Sequence, residues 1–414
     1  VHSRQDFWKF FTGQTISVLG SSFSGFALPL LVFQLTHSPI SLAISTFTFA
    51  LPHLLFGLLI GAWVDRVDRK RLMIVVDILL AFVMLTIPAL ALMHLLNVYW
   101  VYAVQFAGSS LGLIFEQAEF TAIPSLVGQK DLVTANGRIN ASYRASEVTG
   151  PAIAGAIVSF ITVPALMVID SVSYLVSAAT LWSVRASFNK DDRKSRPPTR
   201  ILADIGEGLR YVFTHPVLRN ISLLMMLFNF VDSTFNAQGV LYAKDRLHVS
   251  NFELGLFFAA GSVGAIIFSL LAGWLRQRFS FSFVVIGCLS AMGLFTVVFS
   301  AIPWFWAALP VLLLRDGFGS LLNINTFSLR QAIVPNHMLG RVLSVAGMLA
   351  FSAMPLGSLA GGYAIERTHN VALVFAGVGV LLFVLPLIFA FTALGHADRY
   401  LPNRDAAAST AAPS

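Results

Sequence analysis

Hydrophobic residues run along this chain in long stretches separated by short polar breaks. A hydrocarbon layer of ~30 Å takes about 20 residues of helix at 1.5 Å per residue. Twelve stretches reach that length. In the first half they fall at 10–35, 42–64, 72–93, 98–120, 139–160 and 165–184. In the second half they fall at 218–242, 253–275, 283–301, 304–327, 341–365 and 371–394. They are apolar all round and do not alternate, which predicts membrane-spanning helices and excludes the short strands of a closed barrel.

The two sets of six echo each other at an offset of about 212 residues. At that offset Phe23 matches Phe235, Leu35 matches Leu247, Ser38 matches Ser250 and Leu42 matches Leu254. Gly61 matches Gly273 and Arg66 matches Arg278, while Ala154-Gly155-Ala156 meets Ala360-Gly361-Gly362 at a slightly shorter offset. The prediction is an all-α integral membrane protein with two six-helix bundles, at 1–184 and 218–396. Between them, 185–217 is a polar linker. Its end carries Ile201, Ile205, Leu209, Val212 and Phe213 on one helical stripe, which predicts a short amphipathic helix on the membrane surface. Residues 397–414 read as a disordered tail. Duplicated bundles related by an axis along the membrane normal are an architecture of secondary transporters, with the substrate held between them.

Composition narrows the class. The chain is 57% hydrophobic and 11% charged, with mean hydropathy +0.78, which excludes a soluble domain. The net charge of +7 is a topology signal, not a nucleic-acid footprint. Arg66, Arg69, Lys70 and Arg71 stand between spans two and three; Arg185, Lys190, Arg193, Lys194, Arg196 and Arg200 stand between six and seven. The opposite loops hold Lys244, Arg246 and Arg367. Positive charge stays inside, so both termini and the linker are expected in the cytoplasm. The first apolar run is of full span length without a small-residue cleavage pattern, which predicts a retained span. Cys288 is the single cysteine, and neither a metal-ligand spacing nor a phosphate-cradling loop occurs, so disulfides, a metal site, an enzyme centre and ATP-driven transport find no support.

Three motifs carry more. Gly61-Ala62-Trp63-Val64-Asp65-Arg66-Val67-Asp68-Arg69-Lys70-Arg71 lies between spans two and three. Gly150-Pro151-Ala152-Ile153-Ala154-Gly155 lies in span five, where a proline bends the helix and small residues admit a neighbour. The opening Phe7-Trp8-Lys9-Phe10 and the run Ile123-Pro124-Ser125-Leu126-Val127 complete the set. Together they resemble the major facilitator superfamily, in its exporter branch with macrolide and tetracycline efflux pumps and the enterobactin exporter. The resemblance covers nearly the whole chain. It implies a cytoplasmic gate in which Gly61, Asp65, Arg66 and Arg69 latch the bundles, with Asp65 against a helix start near Gly340-Arg341 and Arg69 bonded to Glu116 or Glu119. It also implies an antiporter motif at Gly150, Pro151 and Gly155. One departure is Gln105, where many drug–proton antiporters carry an arginine early in span four.

Charges inside spans are costly and face protein or water. Glu116, Glu119, Arg144 and Glu147 lie toward the cytoplasmic ends of spans four and five, which suits a gating network with Arg144 paired to a glutamate of span four. Asp232, Arg315 and Asp316 lie near the midplane. Asn229, Asp232 and Asn236 share one face of span seven; Asp316, Ser320 and Asn323 share one face of span ten. Arg315 points aside, toward Phe318, Leu322 and Thr326. Phe106, Phe228, Phe230 and Phe235 are candidate apolar walls, and Asp77 and Asp170 count as structural. These stripes point to a substrate and proton-coupling site, or to an ion pair that holds spans seven and ten together.

The expectation is a monomeric, multi-pass exporter of small amphipathic compounds in a bacterial cytoplasmic membrane. It works by alternating access on a proton gradient, without a cofactor, and its partners are the substrate and the lipid bilayer. The alternatives are a dedicated exporter of one metabolite such as a siderophore, a lipid carrier, or a non-transporting receptor or scaffold.

Overall fold

A computed structural model describes residues 2–64, 67–127, 131–188 and 201–400. The first six long helices are α1 (His2–Thr36), α2 (Pro39–Val64), α3 (Arg69–Leu92), α4 (Val98–Leu126), α5 (Leu132–Ile157) and α6 (Leu166–Ser183). A short α7 (Ile201–Thr214) follows, then α8 (Pro216–Leu241), α9 (Asn251–Arg278), α10 (Phe281–Ala301), α11 (Phe305–Ile333), α12 (Asn336–Thr368) and α13 (Val371–Ala390). Among the described residues ten helices are long and apolar enough to cross a membrane, or eleven with α8, which meets α7 at a bend of 103°. The remaining expected span, α5, is long enough, but Arg138, Arg144 and Glu147 make it more polar than a lipid-facing helix.

The helix ends follow from local chemistry. Asp68 caps α3 by accepting from the Arg71 backbone N–H at 3.0 Å. Ser280, 212 positions on, caps α10 by accepting from the Phe283 N–H at 3.2 Å. The repeat is thus legible down to single capping residues, each satisfying a donor the first helical turn leaves open. At the opposite ends of α1, α3, α8 and α12, the chain leaves the helix through His37, His94, His248 and His369. These four have φ between 50° and 57°, the left-handed conformation usual for glycine at a helix C-terminus. All seven tryptophans lie near helix ends and are at least 41% exposed. Trp8, Trp63, Trp182 and Trp274 mark the basic-loop side, and Trp100, Trp304 and Trp306 mark the other, as in the two aromatic belts of a membrane protein.

The chain forms two compact units: Val1–Pro197 with Asn236–Ser262 and Ser358–Val371, and Pro198–Phe235 with Val263–Gly357 and Ala372–Ser414. Their borders cut α8, α9 and α12 and do not coincide with the sequence repeat. In the first unit, segments of the second repeat are bonded to helices of the first. Gln238 Nε2 donates to the Pro39 carbonyl at 2.8 Å, and Ser358 Oγ to the Ala43 carbonyl at 3.4 Å.

In the second unit the amphipathic stripe departs from expectation. Val212 is fully buried, and Ile205 and Leu209 pack with it against Met338, Val342 and Val345 of α12, so this part of the stripe faces protein while Phe213 is exposed. Arg341 Nη1 donates to Glu207 Oε2 at 2.6 Å and fixes the contact. The chain also continues in two short helical turns from Ala393 to Tyr400, kinked at His396, beyond the expected start of disorder at 397. Asp398 accepts from the Phe281 and Ser282 backbone N–H groups at 2.9 and 3.2 Å, and Leu394 and Ala397 are buried. A carboxylate on those open N–H groups gives the segment a reason to order. Residues 401–414 lie outside the described residues.

Candidate functional site

Among the described residues Arg315 of α11 is the largest fully buried side chain, and its three nitrogens each find an acceptor. Nη2 donates to Asp232 Oδ1 of α8, Nη1 to Asp316 Oδ1 at 2.5 Å, and Nε to Thr296 Oγ1 of α10 at 3.1 Å. The face of the guanidinium lies 3.5 Å from the centre of the Phe235 ring, which in turn packs on Phe299 and Phe375 at 5.3 and 4.8 Å. Arg315 therefore reaches α8 and α10 instead of running along its own helix toward Phe318, because its long stem spans the gap between neighbours. Burying such a cluster is costly, but removing one member costs about 3–5 kcal/mol, since it strands the others. A desolvated cation on an aromatic face adds about 2 kcal/mol.

The two carboxylates differ. The Asp232 side chain is 11% exposed and that of Asp316 is 31% exposed, so Asp316 is the one an approaching group meets. Asn229 and Asn323 of the two stripes bond their own helices. Asn229 donates to the Met225 carbonyl at 2.8 Å and Asn323 to the Gly319 carbonyl at 3.1 Å, each on its own helix; Asn236 is exposed. Phe228 is core and Phe230 is exposed, while Phe106 packs edge-on against Phe56.

At the basic-loop end, Gly61 lies in the last turn of α2, and Asp65 and Arg66 fall outside the described residues. α12 begins at Asn336, five residues before Arg341, whose guanidinium serves Glu207. Arg69 Nη1 donates to the carbonyls of Thr121 and Phe188, both at 3.2 Å. Glu119 is buried and accepts from the Tyr143 hydroxyl at 2.7 Å, a partner across α4 and α5 that the sequence did not suggest. Glu116 is exposed. Arg144 pairs with Glu147 of its own helix at 2.7 Å, because residues three apart share a face, and not with a glutamate of α4.

The small residues of α5 admit close neighbours. A Cβ on Gly150 would meet Ser22 of α1, and one on Gly155 would lie 2.6 Å from the Asn251 carbonyl of α9. Ser262 Oγ donates to the Glu147 carbonyl at 3.1 Å, a second tie between α5 and α9. Gln105, where an arginine is common, bonds Ser45 of α2 at 2.8 Å.

Sequence reasoning undervalued one further group. Asp77 of α3 and Asp170 of α6 are 1% and 0% exposed, deep inside the first unit. Ser24 Oγ donates to Asp170 Oδ2, Ser21 and Tyr174 share a hydrogen bond of 2.9 Å, and Gln14 donates to Ser177 Oγ at 3.2 Å. The signal was available. Gln14, Ser17, Ser21 and Ser24 on α1, and Asp170, Ser173, Tyr174 and Ser177 on α6, each recur at helical spacing.

Long apolar helices, two aromatic belts, a repeated bundle and a buried charge cluster define a multi-pass membrane transporter and not an enzyme. The chain belongs to the transmembrane secretion effector family of the major facilitator superfamily, whose model matches residues 2–410. It is 27% identical over 357 residues to the multidrug efflux pump Tap of Mycolicibacterium fortuitum, covering 83% of this chain and 85% of that one. It is 25% identical over 367 residues to macrolide efflux protein A of Streptococcus pyogenes, covering 87% and 89%. Among solved structures, a bacterial homologue of the iron transporter ferroportin in its inward-facing state has the same fold. The TM-score is 0.74 at 16% identity, over 94% of this chain and 99% of that one.

Proposed function

We propose that this protein is a secondary exporter of small amphipathic compounds, driven by inward proton flow and working by alternating access. In this reading it resides in a bacterial cytoplasmic membrane with both termini in the cytoplasm, the side of the basic loops. The observation that carries the reading is the Asp232–Arg315–Asp316 cluster. A bundle that only scaffolds gains nothing from three interior charges. Here a buried arginine holds two carboxylates, one of them accessible. A substrate with a basic nitrogen and an apolar body would take Asp316 from Arg315 and leave Arg315 on Asp232. The arginine then compensates whichever charge the substrate leaves behind, so loading and unloading never strand a buried ion. The efflux names of the two relatives agree with this direction and class of substrate.

Flux in proteoliposomes under an imposed pH gradient tests the reading. A lipophilic cationic dye or a macrolide should move uphill against the proton flow, and Asp316→Asn should lose most of that flux. Wild-type protein that moves neither compound, with or without the gradient, would overturn it.

A further inference from the structure

The interior acids Asp232 and Asp316 of the second repeat share a counter-charge, Arg315; among the described residues the interior acids Asp77, Glu119 and Asp170 of the first repeat have none. Asp77 is 1% exposed, and both its carboxyl oxygens are buried without a hydrogen-bond partner. Its polar neighbours are Ser177 of α6 and the acid Glu119 of α4. Glu119 is itself 4% exposed; Oε2 is held by Tyr143 of α5, and Oε1 has no partner. From α6, Tyr174 and Asp170 complete the titratable groups of this interior, and α1 contributes only Gln14 and serines. Among the described residues none of these acids has a basic partner within salt-bridge distance. A buried carboxylate without a counter-charge is far more costly than a carboxylic acid. Two such acids facing each other raise that cost.

Position supplies a route. Asp77 lies eight residues into α3 and Glu119 seven residues before the end of α4, so both sit about 10–12 Å from the basic-loop side. Asp170 lies four residues into α6, about 6 Å from the opposite side. Between them the α1–α6 seam carries hydrogen-bonding side chains at every turn: Ser24 on Asp170, Ser21 on Tyr174, Gln14 on Ser177. Hydroxyls both donate and accept, so such a file can pass a proton where an apolar seam cannot.

We propose that Asp77 is the seat of the coupling proton, reached along the α1–α6 file from Asp170 and emptied toward Glu119. The word coupling rests on the export reading above; the proton site does not. Proton and substrate then occupy different repeats: the proton in the first, the substrate on Arg315 and Asp316 in the second. Loss of the proton from Asp77 leaves a buried carboxylate beside a second acid, Glu119 of α4, which gives the empty site a reason to repack.

The experiment uses the purified full chain in lipid nanodiscs. Infrared difference spectra across neutral pH should show a carboxylic-acid band that Asp77→Asn removes. Addition of a lipophilic cationic dye in weak buffer should release a proton from wild type and none from Asp77→Asn, whose dye affinity should fall severalfold because binding linked to proton release weakens where no proton can leave. Asp77→Glu should restore release and move the band, which keeps the test decisive should the asparagine variant fail to fold. An unchanged band with unchanged release in Asp77→Asn overturns the proposal. Wild-type protein that shows the Asp77 band but no dye flux overturns the export reading and leaves the proton site standing.

Discussion

Gly155 of α5 and Gly255 of α9 meet backbone to backbone. A Cβ on Gly155 would lie 2.9 Å from the Gly255 Cα, closer than real Cβ atoms come. Both sides of the contact are main chain, so neither can yield by rotating a side chain. Small residues are the usual means of such approach in lipid, where packing replaces the hydrophobic drive. Gly155→Val and Gly255→Val should each push α5 from α9, at a cost of about 1–3 kcal/mol. Thermal unfolding of purified variants checks the cost, and each should melt below wild type. Gly273→Ala, where a Cβ meets open space, should not.

Arg315 should be the least replaceable interior charge. Arg315→Ala removes the cation from Asp232, Asp316 and the Phe235 ring at once, so it should cost about 3–5 kcal/mol and much of the expression level. Asp232→Asn keeps Arg315 on Asp316 and Thr296. It should melt nearer wild type yet fail in uphill export, and wild-type flux in that variant would leave the cluster a purely structural tie.

Asp398 gives a pH dependence with a fixed sign. Burial pulls its carboxyl upward, but the Phe281 and Ser282 N–H groups, the Ser282 hydroxyl and Arg276 outweigh burial and hold it below the ordinary carboxylate value. A lowered native value means the stabilisation is fully present above the unfolded value, about 3.9, and is lost as pH falls through the native one. Melting temperature followed from pH 6 downward should therefore drop below about pH 4 in wild type. Asp398→Asn should start lower, by about 1 kcal/mol of lost helix capping, and show a shallower drop.

The docking of α7 divides into a weak and a strong part. The Arg341–Glu207 pair is partly exposed, so Glu207→Ala should cost less than about 1 kcal/mol. Val212 is fully buried against α12, and Val212→Asp should detach α7 and open the 201–214 segment to limited proteolysis. Equal proteolysis of both variants would place the contact in the ion pair instead.

Twelve apolar stretches and a 212-residue echo made the fold readable, because lipid forces every span to declare itself in composition. Capping residues sharpened it, as Asp68 and Ser280 show. The site was half legible. Asp232, Arg315 and Asp316 stood out as charges in apolar runs, and they do meet. Asp77 and Asp170 are no less visible, but both lie near helix ends along the sequence, which assigns them a structural role. Nearness to an end is not exposure when other helices surround the turn. The Arg144–Glu147 pair failed the other way: a partner on the same helix, three residues off, was closer than any on α4. Which stripe of α7 faces lipid and which faces protein depends on where α12 starts, and a hydrophobic pattern alone does not carry that.

The four histidines that turn the chain out of α1, α3, α8 and α12 offer a handle for biochemistry. Left-handed backbone costs a residue with a Cβ about 1–2 kcal/mol that glycine does not bear. Three of them take helix-ending bonds through the main chain: the His37 and His369 N–H groups donate to the carbonyls of Phe33 and Ile365 at 2.8 Å, and the His94 N–H to that of Ala91 at 3.1 Å. Glycine would keep those bonds and shed the strain, less what it adds to the freedom of the unfolded chain. A quadruple His-to-Gly variant is thus a rational starting point for a longer-lived detergent preparation. None of the four is a member of the Arg315 cluster or of the Asp77, Glu119 and Asp170 group, whose chemistry such a preparation would be made to measure.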